Sequence, residues 1–256
     1  MSSPIFVLVP GAFGTPSAYD KLVPYLEKAG FATMPEPYPS CNHSNPSIAS
    51  CQEDITSLRE KIILPILEQG SDVILVVHSY GGAVGGAAAT GLDKKTRAAN
   101  GLPGGVIGLI YIAGNVLLEG ESLIQAVGGA YPPYIKTDKP SPGLSLIEPA
   151  MDVLYNDCGQ ALAPELEAAV KPHAQLAFET GPTAPAWADA AFEGRRTYIR
   201  TEDDCCIPAS LQDAWMEKSG VKWDVVHFKS SHMPFVSKPK DLAEQLVKSA
   251  NGYLAL

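Results

Sequence analysis

Short apolar runs alternate along the chain with stretches of helical periodicity. Residues 5–9 are continuously apolar and stop at Pro10-Gly11, which predicts a strand followed by a turn. A helix is expected over 19–28, with Pro24 in its first turns and Gly30 as its stop. Residues 31–34 predict a second strand, ended by Pro35, Pro37 and Pro39. Between 47 and 68, Ile48, Ile55, Leu58, Ile62, Ile63 and Leu67 recur at near-helical spacing, and Pro65 is expected to kink or end that helix. Residues 72–77 and 105–113 read as strands buried on both faces, with a helix of small residues between them over 81–96. Two more buried strands are expected over 196–200 and 223–228, on either side of a helix at 211–218. An amphipathic helix over 241–253 closes the chain.

Strands alternating with helices predict an α/β fold, a mostly parallel sheet with helices on both faces. One stretch breaks the rhythm. No strand pattern is visible over 115–194, which holds nine of the 22 prolines and helical pieces at 164–170 and 172–178. About 80 residues are too many for a plain loop. The expected organisation is therefore a core of 1–114 and 195–256, with 115–194 inserted between core strands as a helical cap.

Composition narrows what such a fold can do. There are 19 basic and 28 acidic residues, a net charge of −9, so a nucleic acid or an anionic membrane is not expected as a partner. Cys41, Cys51, Cys158, Cys205 and Cys206 are odd in number and lack CxxC spacing, so neither a disulfide framework nor a metal site is expected. No apolar run approaches the ~18 residues of a membrane span. No basic segment of the kind that opens a signal peptide precedes the first apolar run, and a soluble cytoplasmic protein is the expectation.

The chemistry is concentrated in Val77-His78-Ser79-Tyr80-Gly81-Gly82, between a buried strand and a small-residue helix. A serine at such a turn is forced into a strained backbone conformation that projects its Oγ above the sheet. The N–H of the next residue points into the same space at a helix N-terminus. An isolated SxG also fits a glycine-rich helix start that merely packs on a sheet, so the partners decide. A serine nucleophile needs a base, and an acid behind the base, with the order Ser, acid, His in this kind of fold. Asp204 follows the strand at 196–200 and His232 follows the strand at 223–228, so both are expected on the sheet edge that carries Ser79. Glu202 and Asp203 are adjacent alternatives for the acid, read as solvated loop charges, and Ser210 is a candidate cap for the helix that follows. His43, His78, His173 and His227 are read as structural or solvated, with the His78 side chain pointing away from the turn and His43 a weaker pocket candidate. After the first strand, Pro10-Gly11-Ala12-Phe13-Gly14 brings the N–H of Ala12 towards that of Tyr80. Two such donors aimed at one point form an oxyanion hole, each worth roughly 3 kcal/mol of barrier.

These residues, in this order, resemble the α/β-hydrolase superfamily, and within it the compact group of plant methyl esterases, hydroxynitrile lyases and microbial esterase-like proteins. The resemblance is carried by FVLVPGAF, HSYGG, YIRTEDDCCIP and SHMPFVSKP, and by Leu154-Tyr155-Asn156-Asp157 in the insertion, and so spans nearly the whole chain. It implies a sheet of about six strands, Ser79 as nucleophile, His232 as base and then acid, Asp204 as its orienting carboxylate (four residues before Pro208), and Ala12 and Tyr80 as oxyanion donors. Two positions depart from the group: Pro10 stands where it usually has His, and Val77 where it usually has Gly. Hydroxynitrile lyases of the group carry a lysine beside the catalytic His; Met233 stands there in this chain and favours ester chemistry.

The expected function is hydrolysis of a carboxylic ester or lactone through an acyl-enzyme on Ser79, with no metal or organic cofactor. The expected substrate is small and hydrophobic, with Phe13, Tyr131, Tyr134, Phe178 and Trp187 as candidate pocket residues. The same groups would serve C–C bond cleavage or cyclisation and release of a polyketide-like chain. A ligand receptor without turnover is a third reading, which an intact Ser79, Asp204 and His232 argues against.

Overall fold

The computed structural model describes residues 3–35 and 37–256. Its main sheet has six parallel strands: β1 (Ile5–Val9), β2 (Thr33–Pro35), β3 (Val73–His78), β4 (Val106–Ile112), β8 (Arg196–Thr201) and β9 (Asp224–Phe228), ordered β2-β1-β3-β4-β8-β9. Every residue of β3 and β4 is buried, as their unbroken apolar runs require. β9 departs from expectation. It is an edge strand with mostly exposed or half-buried residues, because no strand covers its outer side. The chain moves outward from β1 to β2 and then back past β1 to β3. The reversal leaves a crevice at the carboxyl ends of β1 and β3, where ligands of open α/β sheets bind.

The long helical pattern at 47–68 survives Pro65 by changing pitch. Ser50 Oγ accepts from Glu53 N–H and starts the helix Cys51–Leu58; a π turn at Arg59–Ile63 follows, and α-helix resumes over Leu64–Glu68. In an unbroken α-helix the Pro65 ring would press on the carbonyl four residues back, and the wider turn relieves that contact. The helix expected over 81–96 instead ends at Ala88. Gly91 turns the chain at φ 70°, and a second helix, Lys94–Ala99, begins where Asp93 accepts from Thr96 N–H.

The inserted region corrects the expectation of a purely helical cap. Besides short helices it contains an antiparallel sheet of β5 (Ile135–Thr137), β6 (Leu144–Ile147) and β7 (His173–Ala174). Strands of two to four residues are too short to show alternation in the sequence. β7 also bridges to Cys41, tying the insertion to the loop after β2.

Val77 is accommodated one helical turn along. A Cβ on Gly85, in the helix Gly81–Ala88, would overlap Val77 Cγ1, so the glycine in the helix makes room for the valine in the strand. Gly85→Ala would gain about 1 kcal/mol of helix propensity. It would also force a methyl onto a buried β-branched side chain that is stiff at χ1, which costs about 1–3 kcal/mol. The overlap should win. Gly85→Ala should lower unfolding stability in urea by about 1–2 kcal/mol, and adding Val77→Ala should recover part of it; a Gly85→Ala protein as stable as wild type would refute this account.

Candidate active site

The carboxyl end of β3 turns sharply into the helix Gly81–Ala88 at Ser79, whose φ of 50° is unusual for a residue with a Cβ. Three backbone bonds hold it there: Ser79 N–H donates to Ile112 O at 3.1 Å, and Ser79 O accepts from Gly82 N–H at 2.8 Å and Asn115 N–H at 2.9 Å. Gly81 is obligatory, since a Cβ would lie 2.6 Å from Pro10 O and 2.8 Å from Val9 O. The turn is thereby pressed against the end of β1, and Ser79, Tyr80, Ala12 and Phe13 line one cavity. Among the described residues neither the Ala12 nor the Tyr80 N–H has an acceptor within the protein.

The loop after β8 brings Asp204 to the loop after β9, where His232 Nδ1–H donates to Asp204 Oδ2 at 2.7 Å in a fully buried pair. The carboxylate is fixed by further donors: Thr201 Oγ1 at 2.7 Å and the N–H groups of Cys206 and Ile207 at 2.8 Å each. The expected Ser210 cap is not formed: Ser210 lies inside the helix Ala209–Ser219, which starts after Pro208 without a side-chain cap. The other two carboxylates are exposed. Glu202 meets His227 at 3.1 Å, and Asp203 bonds through its backbone, its carbonyl accepting from Asn156 Nδ2 at 2.8 Å and its N–H donating to Ser230 O at 3.1 Å.

His232 lines the same cavity as Ser79, with no hydrogen bond joining its ring to Ser79 Oγ. Such bonds are often loose before substrate arrives. A ring whose Nδ1 is tied to a carboxylate can take up a proton at Nε2 and release it again. Burial pushes the imidazole down, but the charge of Asp204, aided by Cys206 and the hydrogen bond, outweighs it and holds the pKa above its ordinary value.

The remaining histidines have structural places. His78 Nε2–H donates to the His232 carbonyl at 2.9 Å and its ring lies 4.5 Å from that of His232, so it props the loop from behind; burial holds it neutral. His43 Nδ1 accepts from Asn45 N–H, away from the cavity, and His173 is buried at the root of the insertion. Leu154-Tyr155-Asn156-Asp157 clamps both loops. Asn156 holds Asp203 O, and Asp157 Oδ2 accepts from Ser231 N–H at 3.0 Å.

The cavity measures about 270 Å³ and is mainly apolar. Phe13, Tyr131, Tyr134 and Phe178 line it as expected. Trp187 does not; it is buried behind the helix Gly81–Ala88, against Gly86 and Trp223. Leu123, Ile124 and Val127, around the short helix Leu123–Ala126, together with Leu154, Cys206 and Trp215, are walls that sequence reasoning did not pick out. The apolar spacing of 123, 124 and 127 was visible, but not which way that helix faced.

The model of the alpha/beta hydrolase family matches residues 6–245, and the chain belongs to that family. It is 30% identical over 257 residues to the alpha/beta hydrolase nvfD of Aspergillus novofumigatus, a match covering 98% of each chain. Among solved structures it is similar to a pyrethroid hydrolase from Sphingobium faniae JZ-2 (TM-score 0.76, 21% identity, 98% of each chain). It is also similar to the methylesterase MES16 from Arabidopsis (TM-score 0.71, 22% identity, 97% of this chain and 99% of that one).

Because burial and Asp204 act on His232 in opposite directions, removing the charge should let burial win. NMR titration of the imidazole should find His232 protonated to above pH 6.5 in the wild type and below it in Asp204→Asn. The paired imidazolium thus contributes stability that is complete below pH 6.5 and fades as the pH rises through the raised value. An unshifted His232 in Asp204→Asn would refute this balance.

Proposed function

We propose that the protein is a serine hydrolase that cleaves a small carboxylic ester or lactone through an acyl-enzyme on Ser79. The observation that carries this reading is the buried Asp204–His232 pair at 2.7 Å, whose imidazole lines one cavity with Ser79 and with two residues whose N–H groups lack acceptors among the described residues. Ser79 Oγ attacks the carbonyl carbon and its proton passes to His232 Nε2. The carbonyl oxygen becomes an oxyanion that the Ala12 and Tyr80 N–H groups stabilise. Collapse breaks the C–O bond, and His232 gives its proton to the departing alkoxide. Water then attacks the acyl-enzyme, losing a proton to His232, which returns it to Ser79 as the acid leaves. Asp204 holds the ring in the Nδ1–H form throughout.

The cavity, near the lower limit for ligand pockets, suits a short acyl or alkyl group, and its apolar walls suit a hydrophobic one. The names of similar proteins, a methylesterase and a pyrethroid hydrolase, support an ester-type substrate. Among the described residues no helix is long and apolar enough to cross a membrane.

Purified protein should hydrolyse 4-nitrophenyl acetate or butyrate, and Ser79→Ala should reduce kcat by roughly 1000-fold or more. Asp204→Asn should cost about 10⁴-fold, while Asp203→Asn stays near wild type. Since the base must be neutral and its pKa is raised, the rate should climb with pH beyond 6.5. Ester turnover that survives Ser79→Ala would overturn the reading.

A further inference from the structure

Behind the cavity lies a buried polar chain that the proposed chemistry does not use. It begins at Phe13, next to Ala12 in the loop after β1, which holds the left-handed φ of 63°. The inserted region claims both backbone groups of Phe13. Its N–H donates to His173 Nδ1 at 3.3 Å, and its carbonyl accepts from Lys171 N–H at 2.9 Å. A nitrogen that accepts carries no proton, so the neutral His173 ring must bear its proton on Nε2. Burial holds that ring neutral by pushing its pKa down to about 3.

The direction of every later bond then follows. His173 Nε2–H donates to Ser40 Oγ at 2.9 Å, and Ser40 Oγ–H donates to Asp54 Oδ2 at 2.5 Å. Ser40 N–H donates to Asp54 Oδ1 at 2.9 Å. From the other side the Tyr80 hydroxyl donates to Asp54 Oδ2 at 2.8 Å. Asp54, Ser40 and His173 are all buried, and none of the three lines the cavity. Asp54 therefore terminates two arms, one running to the residue beside Ala12 and the other to Tyr80, the residue after Ser79.

We infer that Asp54, Ser40 and His173 form a one-way hydrogen-bond brace that sets the relative position of the Ala12 and Tyr80 N–H groups. All three are positioning residues, and the inference rests on the ester-hydrolase reading of that pair of donors. Three apolar side chains would hold the same elements together without desolvating a carboxylate. They could not fix direction. An acceptor at the centre with donors pointing inward from both arms leaves each arm one arrangement, and oxyanion stabilisation depends on donor placement. The brace also crosses between the core, which supplies Ser40 and Asp54, and the insertion, which supplies His173, so the seating of the insertion and the geometry of the donors are coupled.

The test separates the brace from mere packing and from the reading it rests on. Ser40→Ala breaks the His173 arm and leaves Tyr80 on Asp54. Asp54→Asn replaces one of the two acceptor oxygens with an NH₂ donor, so the three inward-pointing donors can no longer all be accepted. With 4-nitrophenyl butyrate, each should lower kcat by about 10-fold or more while KM stays within about 3-fold. Affinity for 1,1,1-trifluoro-2-octanone, whose serine adduct places an oxyanion at the donors, should fall in step with kcat. Inhibition by 2-octanol, which forms no oxyanion, should not change. Unchanged kcat, or a loss of both affinities together with Tm, would overturn the brace. A second readout needs neither turnover nor a folded variant: ¹⁵N NMR of wild-type His173 at pH 7 should show the neutral Nε2–H tautomer. The Nδ1–H tautomer or an imidazolium there would overturn the brace, whereas absent ester turnover would count against the hydrolase reading alone.

Discussion

The backbone of Ser79, held at φ 50° between a fully buried strand and a helix, is the constraint on which the rest of the structure depends. A residue with a side chain in that region costs on the order of 1–3 kcal/mol and persists only where its surroundings over-determine it. Here the surroundings are β4, through Ile112 O, the chain just after it, through Asn115 N–H, and the helix, through Gly82 N–H. Gly81 brings β1 in by packing on Val9 O and Pro10 O, and Gly85 gives room for the bulk of Val77. The strain is thus spread over the three central elements of the sheet. Cα–H surfaces of glycine at two helix positions are what let them close on one another.

The inserted region does more than cover the cavity. It reaches the loops after β1, β8 and β9, which carry three of the groups of the proposed mechanism. His173 and Lys171 hold Phe13 beside Ala12; Asn156 and the Tyr134 hydroxyl hold the carbonyls of Asp203 and Cys206 on either side of Asp204; Asp157 holds Ser231 beside His232. Most of these bonds end on backbone atoms, so they fix loop position whatever side chains the loops present. The faces of the same region that point inward, including Leu123, Ile124, Tyr131 and Phe178, supply much of the apolar wall. One piece of chain therefore both holds these loops and walls part of the cavity.

Two of the buried carboxylates, Asp204 and Asp54, flank the proposed site and have different surroundings. Asp204 faces an imidazole as well as hydroxyl and backbone donors, and its charge keeps the His232 proton affinity high against burial. Asp54 faces only hydroxyl and amide donors. Burial pushes its carboxyl up to about 6, and the bonds from Ser40 and Tyr80 pull against that shift. Neutral His78 and His173 flank the two centres without adding charge, each held by burial in its uncharged form. Of these groups only His232 lines the cavity; Asp204, His78, Asp54 and His173 stand behind it.

The succession of strands and helices along the chain, the turn at Ser79 and the loops bearing Asp204 and His232 were legible in the sequence. Each is written locally, in continuous apolar runs, in Gly81 and Pro10-Gly11, and in polar residues placed just after strands. Strands as short as β5, β6 and β7, the exposure of β9, and the withdrawal of Trp187 behind a helix were not, because they depend on what packs alongside. The pitch change before Pro65 belongs with them, since packing and not propensity kept that helix whole. The sequence by itself determined which chemical groups stand at the ends of which strands. Only the tertiary structure decided that Asp54, Ser40 and His173, far apart in the chain and individually unremarkable, meet with complementary donors and acceptors; a hydrogen bond is set by distance and direction in space, and sequence spacing encodes neither across an insertion.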